Sequence, residues 1–434
     1  MKHATYQHEL SNGMRLLLID VPGAGSVSLS SFVQSGYRYF PRTHYETPHL
    51  LEHLMFSGTK RFPDSFTLNR ELERSGAFVN GYTNVDSNSF RFEGAKTDLF
   101  RLSELMMELL FEATLSDADL ESEREAVINE LSEHLDDDDD RSDYYSEQAL
   151  VPSLKPGWRE RLEVTRRLTM ADIRAAYRRY FVTANTGVII ATALPEKTRE
   201  RVIERLELMT AGYRRGHRQT FKKHPLADFA GHISLLLARS QAQTRLNLRF
   251  LHPGYDLPDL VPLRIFTEIL GGSSTAPLAA EVRQAGLSYG INADRYAQEE
   301  YSGLEITSQA PDEKLLPLLE LITTILGRVA AGGFSDEELA YAKESIIGSI
   351  GRSYEAPRDF ADWYEDRFET GKPLVSPETR LAEERAITRK DVTEAASRYV
   401  TKKNWHLTVV APQTGGLADE CRAIIEDNLG PAPK

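Results

Sequence analysis

The 434-residue sequence predicts an α+β chain of two homologous α/β-sandwich halves, each a mainly antiparallel sheet with packed helices. Three observations predict it. Stretches with period-two alternation of apolar residues are interleaved with stretches of three- and four-residue spacing. The length, with 41% hydrophobic residues, is too great for one ordinary core. One ordered series of segments also occurs twice.

Near the N-terminus, "YQHEL", a turn at Ser11-Asn12-Gly13 and "MRLLLID" read as a β-hairpin. "SVSLSSFVQSG" alternates as a half-buried strand does, and "TPHLLEHLMFSGT" (Thr47 to Thr59) follows with helical spacing. "AFVNGYTNVDSNSFRFEGA" returns to alternation, and "KTDLFRLSELMMELLFEATL" again has helical spacing. The repeat then shows itself. "LSDADLESEREAVINEL" matches "FSDEELAYAKESIIGSI" without a gap, with Ser116 on Ser335, Leu120 on Leu339 and Ile128 on Ile347. Upstream, "ERSGAFVNGYT" pairs with "VRQAGLSYGIN" and "HLLEHLMFSGT" with "LRIFTEILGGS", in the same order. We therefore expect an N-terminal domain over residues 1–215, a linker over 216–230 and a homologous C-terminal domain over 231–434. The basic residues Arg214, Arg215, Arg218, Lys222 and Lys223 are expected to be a solvated strap.

Bulk properties narrow the function. A formal net charge of -13 argues against nucleic acid as a partner, because phosphate backbones are bound through clustered Lys and Arg. No apolar run approaches a bilayer span, and the N-terminus lacks the pattern of a secretory signal, so no membrane partner is expected. The single cysteine, Cys421, cannot form an intramolecular disulfide, and a cytoplasmic location is the expectation. The run Asp136 to Asp140 lacks the alternating ligands and glycine of a calcium loop and is expected to be a solvated helix end.

The chemistry is concentrated at Thr47 to Thr59. On a helix, His49 and His53 stand one turn apart on one face, so both imidazoles can reach one metal ion, with Glu52 beside them. A catalytic site needs a third protein ligand and an open fourth position. Glu130 suits, because Glu123 lies seven residues earlier on the same face of its helix; one carboxylate can bind metal while the other orients a histidine. The repeat is an internal control. Its second copy has Leu263, Phe266 and Thr267 in place of His49, Glu52 and His53, and Ser349 in place of Glu130. All four polar residues are absent together, as loss of a single metal site would require.

"HLLEH" with its distal glutamate and a second homologous half resembles the insulinase-type (pitrilysin-type) zinc metallopeptidases, with their inverted HxxEH motif. The resemblance is strongest to the short-subunit branch that includes mitochondrial processing peptidase and its bacterial relatives. It also rests on "LSNGMRLLL", "GAFVNGYTNVDSNSF", "ESEREAVINE", "ILGGSS" and "GLSYGI". The resemblance implies that His49, His53 and Glu130 hold Zn2+, that Glu52 is the general base toward the attacking water, and that Glu123 supports the ligands. It implies that Asn80, Gly81 and the adjacent backbone bind substrate by strand addition. It further implies that Arg283 and Tyr289 bind substrate and steady the oxyanion, although the spacing between them is one residue shorter than the family's, which puts Val282 on the expected arginine position. The implied function is zinc-dependent endopeptidase action on unstructured peptides. One chain would form half of a clamshell, and two subunits would enclose a chamber, as a homodimer or, alternatively, as the zinc subunit of an obligate heterodimer. A non-catalytic peptide-binding or partner subunit of the same fold is the other class.

Overall fold

The computed structural model describes residues 2–229, 231–239, 243–254 and 257–429. Along the first half of the chain run β1 (Ala4–Glu9), β2 (Arg15–Asp20), β3 (Ser26–Val33), α1 (Thr47–Met55), α2 (Ser65–Leu72), β4 (Phe78–Thr83), β5 (Asn88–Ala95), α3 (Leu99–Phe111), α4 (Leu120–Asp136), α5 (Asp138–Leu150), α6 (Trp158–Arg167), α7 (Met170–Tyr180), β6 (Thr186–Thr192) and α8 (Glu196–Thr210). The second half has β7 (His232–Leu237), β8 (Thr244–Pro253), α9 (Leu257–Gly271), α10 (Pro277–Gln284), β9 (Ile291–Ala297), β10 (Tyr301–Ala310), α11 (Leu315–Ala330), α12 (Asp336–Arg352), α13 (Pro357–Thr370), α14 (Pro377–Ala386), α15 (Arg389–Tyr399), β11 (Trp405–Ala411) and α16 (Leu417–Asn428). Short 3-10 turns aside, the order of strands and α-helices from β2 to α8 equals that from β7 to α16, and among the described residues β1 is the strand without a counterpart. The repeat read from sequence thus extends through the whole fold.

The first sheet has the order β1-β2-β6-β3-β5-β4 and the second β7-β11-β8-β10-β9. Each is antiparallel except at one pair, β2 with β6 and β7 with β11. The expected α+β architecture of two sheet-and-helix halves is therefore the observed one. The N-terminal hairpin forms as read, with β1 antiparallel to β2 and Gly13 at φ +86 in the turn. Capping boxes start α7 at Thr169 and α15 at Thr388, two equivalent helices given the same local start signal.

The division into contiguous domains is not how the chain packs. One compact unit comprises residues 1–131, 156–222 and 352–376, and the other residues 132–155, 223–351 and 377–434. The cause lies in the central strands. β6 is buried at every position, so it needs cover on both faces. In the first unit α13 supplies one cover, packing on β2, β3 and β6, although it comes from the second half of the sequence. Phe32 of β3 meets Phe368 of α13 edge-on at 5.7 Å between ring centroids. In the second unit α5, from the first half, covers β7, β8 and β11 in the same way. The halves have exchanged equivalent helices.

Two smaller expectations gain detail. Arg214, Arg215, Arg218, Lys222 and Lys223 are exposed, as a solvated strap requires, and the backbone there is irregular but pinned: within the first unit, the carbonyls of Arg214 and Arg215 accept hydrogen bonds from the Thr183 and Ala184 amides, and Arg38 donates to the Lys222 carbonyl while stacking on Phe221. The acidic run joins a helix end to a helix start: Asp136 closes α4, as expected of a solvated helix end, all of the run but Asp138 is exposed, and the rest of it opens α5. Asp137 caps α5 by accepting from the Asp139 and Asp140 amides, and buried Asp138 pairs with Arg141 at 2.6 Å. Among the described residues no helix is long and apolar enough to cross a membrane.

Candidate metal centre

Helix α1 sets the site. Pro48 occupies its first turn, Leu50, Leu51 and Leu54 are fully buried, and this apolar anchoring fixes which way the polar face looks. On that face the His49 and His53 rings lie 5.0 Å apart, nearly perpendicular. Glu130 of α4 approaches both: its Oε2 is 3.4 Å from His49 Nε2 and 3.5 Å from His53 Nε2. Among the described residues, these three are the group whose ligand atoms converge, all within 4.8 Å of one another.

The spacing discriminates between two kinds of contact. A charge-assisted hydrogen bond between imidazolium and carboxylate is about 2.7–2.9 Å long. Donors held about 2.0–2.1 Å from a tetrahedral centre are separated by roughly 3.4 Å. The two separations from Glu130 match the second figure, so its placement against the histidines fits a zinc ion. The composition of the donor set, two imidazoles and a carboxylate, also suits that metal.

Each histidine turns its other ring nitrogen toward a carboxylate. His53 Nδ1 lies 3.3 Å from Glu123 Oε2, so Glu123 stands beside the histidine it was expected to support. His49 Nδ1 lies 3.5 Å from Glu46 Oε2, and Glu46 was not foreseen. A carboxylate three residues before the first histidine, at the helix entry, was the available signal.

Electrostatics follows from this crowding of charge. Burial alone would lower the pKa of His53, but Glu123 and Glu130 outweigh it and raise it to about 9. His49 moves upward for the same reason, against burial, through Glu130 and Glu46. The two histidines that face it at 3.4 and 3.5 Å hold Glu130 well below the usual carboxylate range. Glu52 behaves oppositely, its pKa raised by burial despite a hydrogen bond from Thr83 Oγ1 to its Oε2 at 2.7 Å. Thr83 is itself fixed by Asn88 Nδ2, 2.8 Å away. Gly81 of β4 lies against Glu52, where a Cβ would stand 2.7 Å from Oε1.

The other expected site residues fall as follows. Among the described residues β4 is an edge strand paired with β5 alone, and Asn80 is exposed on the same face as Phe78 and Tyr82. Gly81 and Thr83 alternate to the face of Glu52. In the second unit, Arg283 is exposed near the end of α10 and Tyr289 is 96% exposed in the loop before β9. Both line a cavity of about 350 Å3 with Ser288, Gln309 and Lys314. Val282, at the position the family spacing indicated, is buried in the helix packing.

Family models match two stretches of the chain: "Insulinase (Peptidase family M16)" over residues 15–150 and "Peptidase M16 inactive domain" over residues 167–346. An uncharacterised zinc protease of Bacillus subtilis, YmxG, is 23% identical over 363 residues, 81% of this chain and 84% of the relative. A zinc protease of Mycobacterium bovis is 24% identical over 356 residues, 79% of this chain and 78% of the relative. The β subunit of bovine mitochondrial-processing peptidase is 31% identical over 124 residues, 29% of this chain, and the match spans only 25% of that subunit's length. A crystal structure of a protease from Helicobacter pylori superposes with a TM-score of 0.82 at 17% identity, covering 94% of this chain and 99% of that one, a likeness of fold. With both halves matched in order, the chain belongs to the insulinase family of peptidases, family M16.

Proposed function

We propose that this protein is a zinc-dependent endopeptidase acting on unstructured peptides. The observation that carries the proposal is the convergence of His49, His53 and Glu130, whose ligand atoms lie within 4.8 Å of one another, beside a buried carboxylate, Glu52. Relatives named as zinc proteases support the choice of metal.

His49, His53 and Glu130 would hold the ion, with Glu123 orienting His53. Zinc, when bound, supplies Lewis acidity, lowering the pKa of a water toward neutrality and polarising the scissile carbonyl. Glu52 is the proton carrier. Thr83 fixes its Oε2 and leaves Oε1 to take the proton of the attacking water and deliver it to the leaving amine nitrogen. Burial raises the basicity of this carboxylate, which suits it to hold the proton between the two transfers. An extended substrate segment would add to the free edge of β4, with Asn80 and the backbone at Gly81 as its contacts. Such binding selects peptides without structure of their own. Arg283 and Tyr289 are proposed to contact substrate and oxyanion from the second half of the chain, two subunits enclosing the chamber as a homodimer. The shifted register of Arg283 favours one alternative, a heterodimer in which a partner supplies that pair.

The test uses the purified chain, a quenched fluorogenic peptide, a zinc chelator and Glu52→Gln. Cleavage by the chain alone should be abolished by the chelator and fall about 10²–10⁴-fold in the variant, which keeps its zinc. Cleavage that survives both treatments would refute the assignment of the metal and of Glu52. Cleavage only after a partner is added would replace the homodimer with the heterodimer, and none with any peptide or partner would make the chain a non-catalytic subunit.

A further inference from the structure

We infer that Glu46, backed by Arg161, positions His49 for the metal. The inference rests on the metal reading above and extends it to a pair of residues outside the HLLEH motif. Glu46 is fully buried immediately before α1, and Arg161, from α6, is 7% exposed. Arg161 grips both carboxylate oxygens, Nε on Oε1 and Nη2 on Oε2. The guanidinium is in turn enclosed by rings, with Trp158 at 4.8 Å, Tyr37 at 5.5 Å and Tyr45 at 5.6 Å from ring centroid to Cζ. Glu46 therefore has little freedom of its own. Its Oε2 stands 3.5 Å from His49 Nδ1, a buried ring nitrogen with no hydrogen-bond partner among the described residues.

A histidine can offer Nε2 to a metal only when the proton of the neutral ring sits on Nδ1. A carboxylate facing Nδ1 fixes that tautomer and the ring orientation, and increases the basicity of the ligand. Glu46 is so placed for His49 as Glu123 is for His53, but the two supports differ in kind. Glu123 is partly exposed, whereas Glu46 is held in a buried ion pair.

A purely structural role explains the pair poorly. A buried ion pair recovers its desolvation penalty only with difficulty, and apolar residues of similar volume commonly replace one without loss of stability. The second half of the chain has replaced the carboxylate of the pair and keeps an arginine at the equivalent offset. There Leu263 stands in place of His49, and the residue three earlier is Leu260, an apolar side chain within the packed helix α9. Arg380, as far before the capping Thr388 as Arg161 is before Thr169, pairs instead with its helix neighbour Glu383. The carboxylate is thus present in the half that has the histidines and replaced by leucine in the half that lacks them.

The test measures zinc affinity by competition with a chelating dye, together with the melting temperature of the metal-free protein and the visible spectrum of its Co2+ form. It compares the wild type with Glu46→Gln and with the double variant Glu46→Leu, Arg161→Met, which leaves no unpaired buried charge. We expect both variants to bind zinc about 10–100-fold more weakly and to show a shifted Co2+ spectrum, while the metal-free double variant melts close to the wild type. Unchanged zinc affinity in the double variant would overturn the positioning role and leave the metal site standing. A wild-type chain that takes up neither ion would overturn the metal site itself, and this inference with it.

Discussion

His406 makes the second unit sensitive to acid. It lies in β11 with no exposed surface, in register with His232 on β7 and Arg249 on β8. Burial, then the charges of His232 and Arg249, lower its pKa from 6.5 to about 3. Ser234 Oγ lies 3.1 Å from its Nε2, and its Nδ1 is buried without a hydrogen-bond partner among the described residues, so a second proton would enter an unfavourable site. The folded state therefore binds fewer protons than the unfolded chain between pH 6.5 and 3. Stability associated with His406 is fully present above pH 6.5 and declines as pH falls toward 3. Each pH unit below 6.5 costs about 1.4 kcal/mol, so at pH 5 the loss is about 2 kcal/mol. Urea unfolding followed by tryptophan fluorescence suits the measurement, because the neighbouring Trp405 is fully buried. Comparing the wild type with His406→Gln, which cannot titrate, removes the contributions of all other groups. Between pH 7.5 and 5 the wild type should lose about 2 kcal/mol more than the variant. Parallel pH dependence in the two proteins would show that His406 is protonated in the folded state and refute the argument.

Two further outcomes are expected. Phe32→Ala empties the contact between β3 and α13 and should destabilise the first unit by about 3–5 kcal/mol, read by thermal unfolding; a change below about 1 kcal/mol would mean that α13 is not needed as the cover of that sheet. Glu123→Gln should weaken zinc binding about 10–100-fold with little change in the melting of the metal-free protein, because this carboxylate is partly exposed and its contact is to His53.

Much of the fold was legible because two copies constrain each other. Ser116 against Ser335 and Leu120 against Leu339 fix a register that one copy would leave open. The convergence of His49, His53 and Glu130 was legible because the two histidines share a helix face and Glu130 lies on another helix whose second carboxylate, Glu123, keeps the same phase. Glu46 escaped because its role depends on Arg161, more than a hundred residues away in sequence, and pairing at that distance leaves no periodic trace. The exchange of α5 and α13 escaped for a related reason. An apolar helix face declares that it must be covered without naming the sheet that covers it. Spacing likewise cannot separate Val282 from Arg283, since the end of α10 decides which side chain is turned inward.

That exchange has a consequence for origin. A protein consisting of one repeat alone would have had its sheet completed by the corresponding helix of a second copy, so folding and dimerisation would have been a single concentration-dependent event. With both copies in one chain, that helix exchange is an intramolecular, first-order step, and the two copies need not be identical in sequence. One copy could then retain His49, His53 and Glu130 while its sister replaced them with Leu263, Thr267 and Ser349, a division of labour closed to two identical chains.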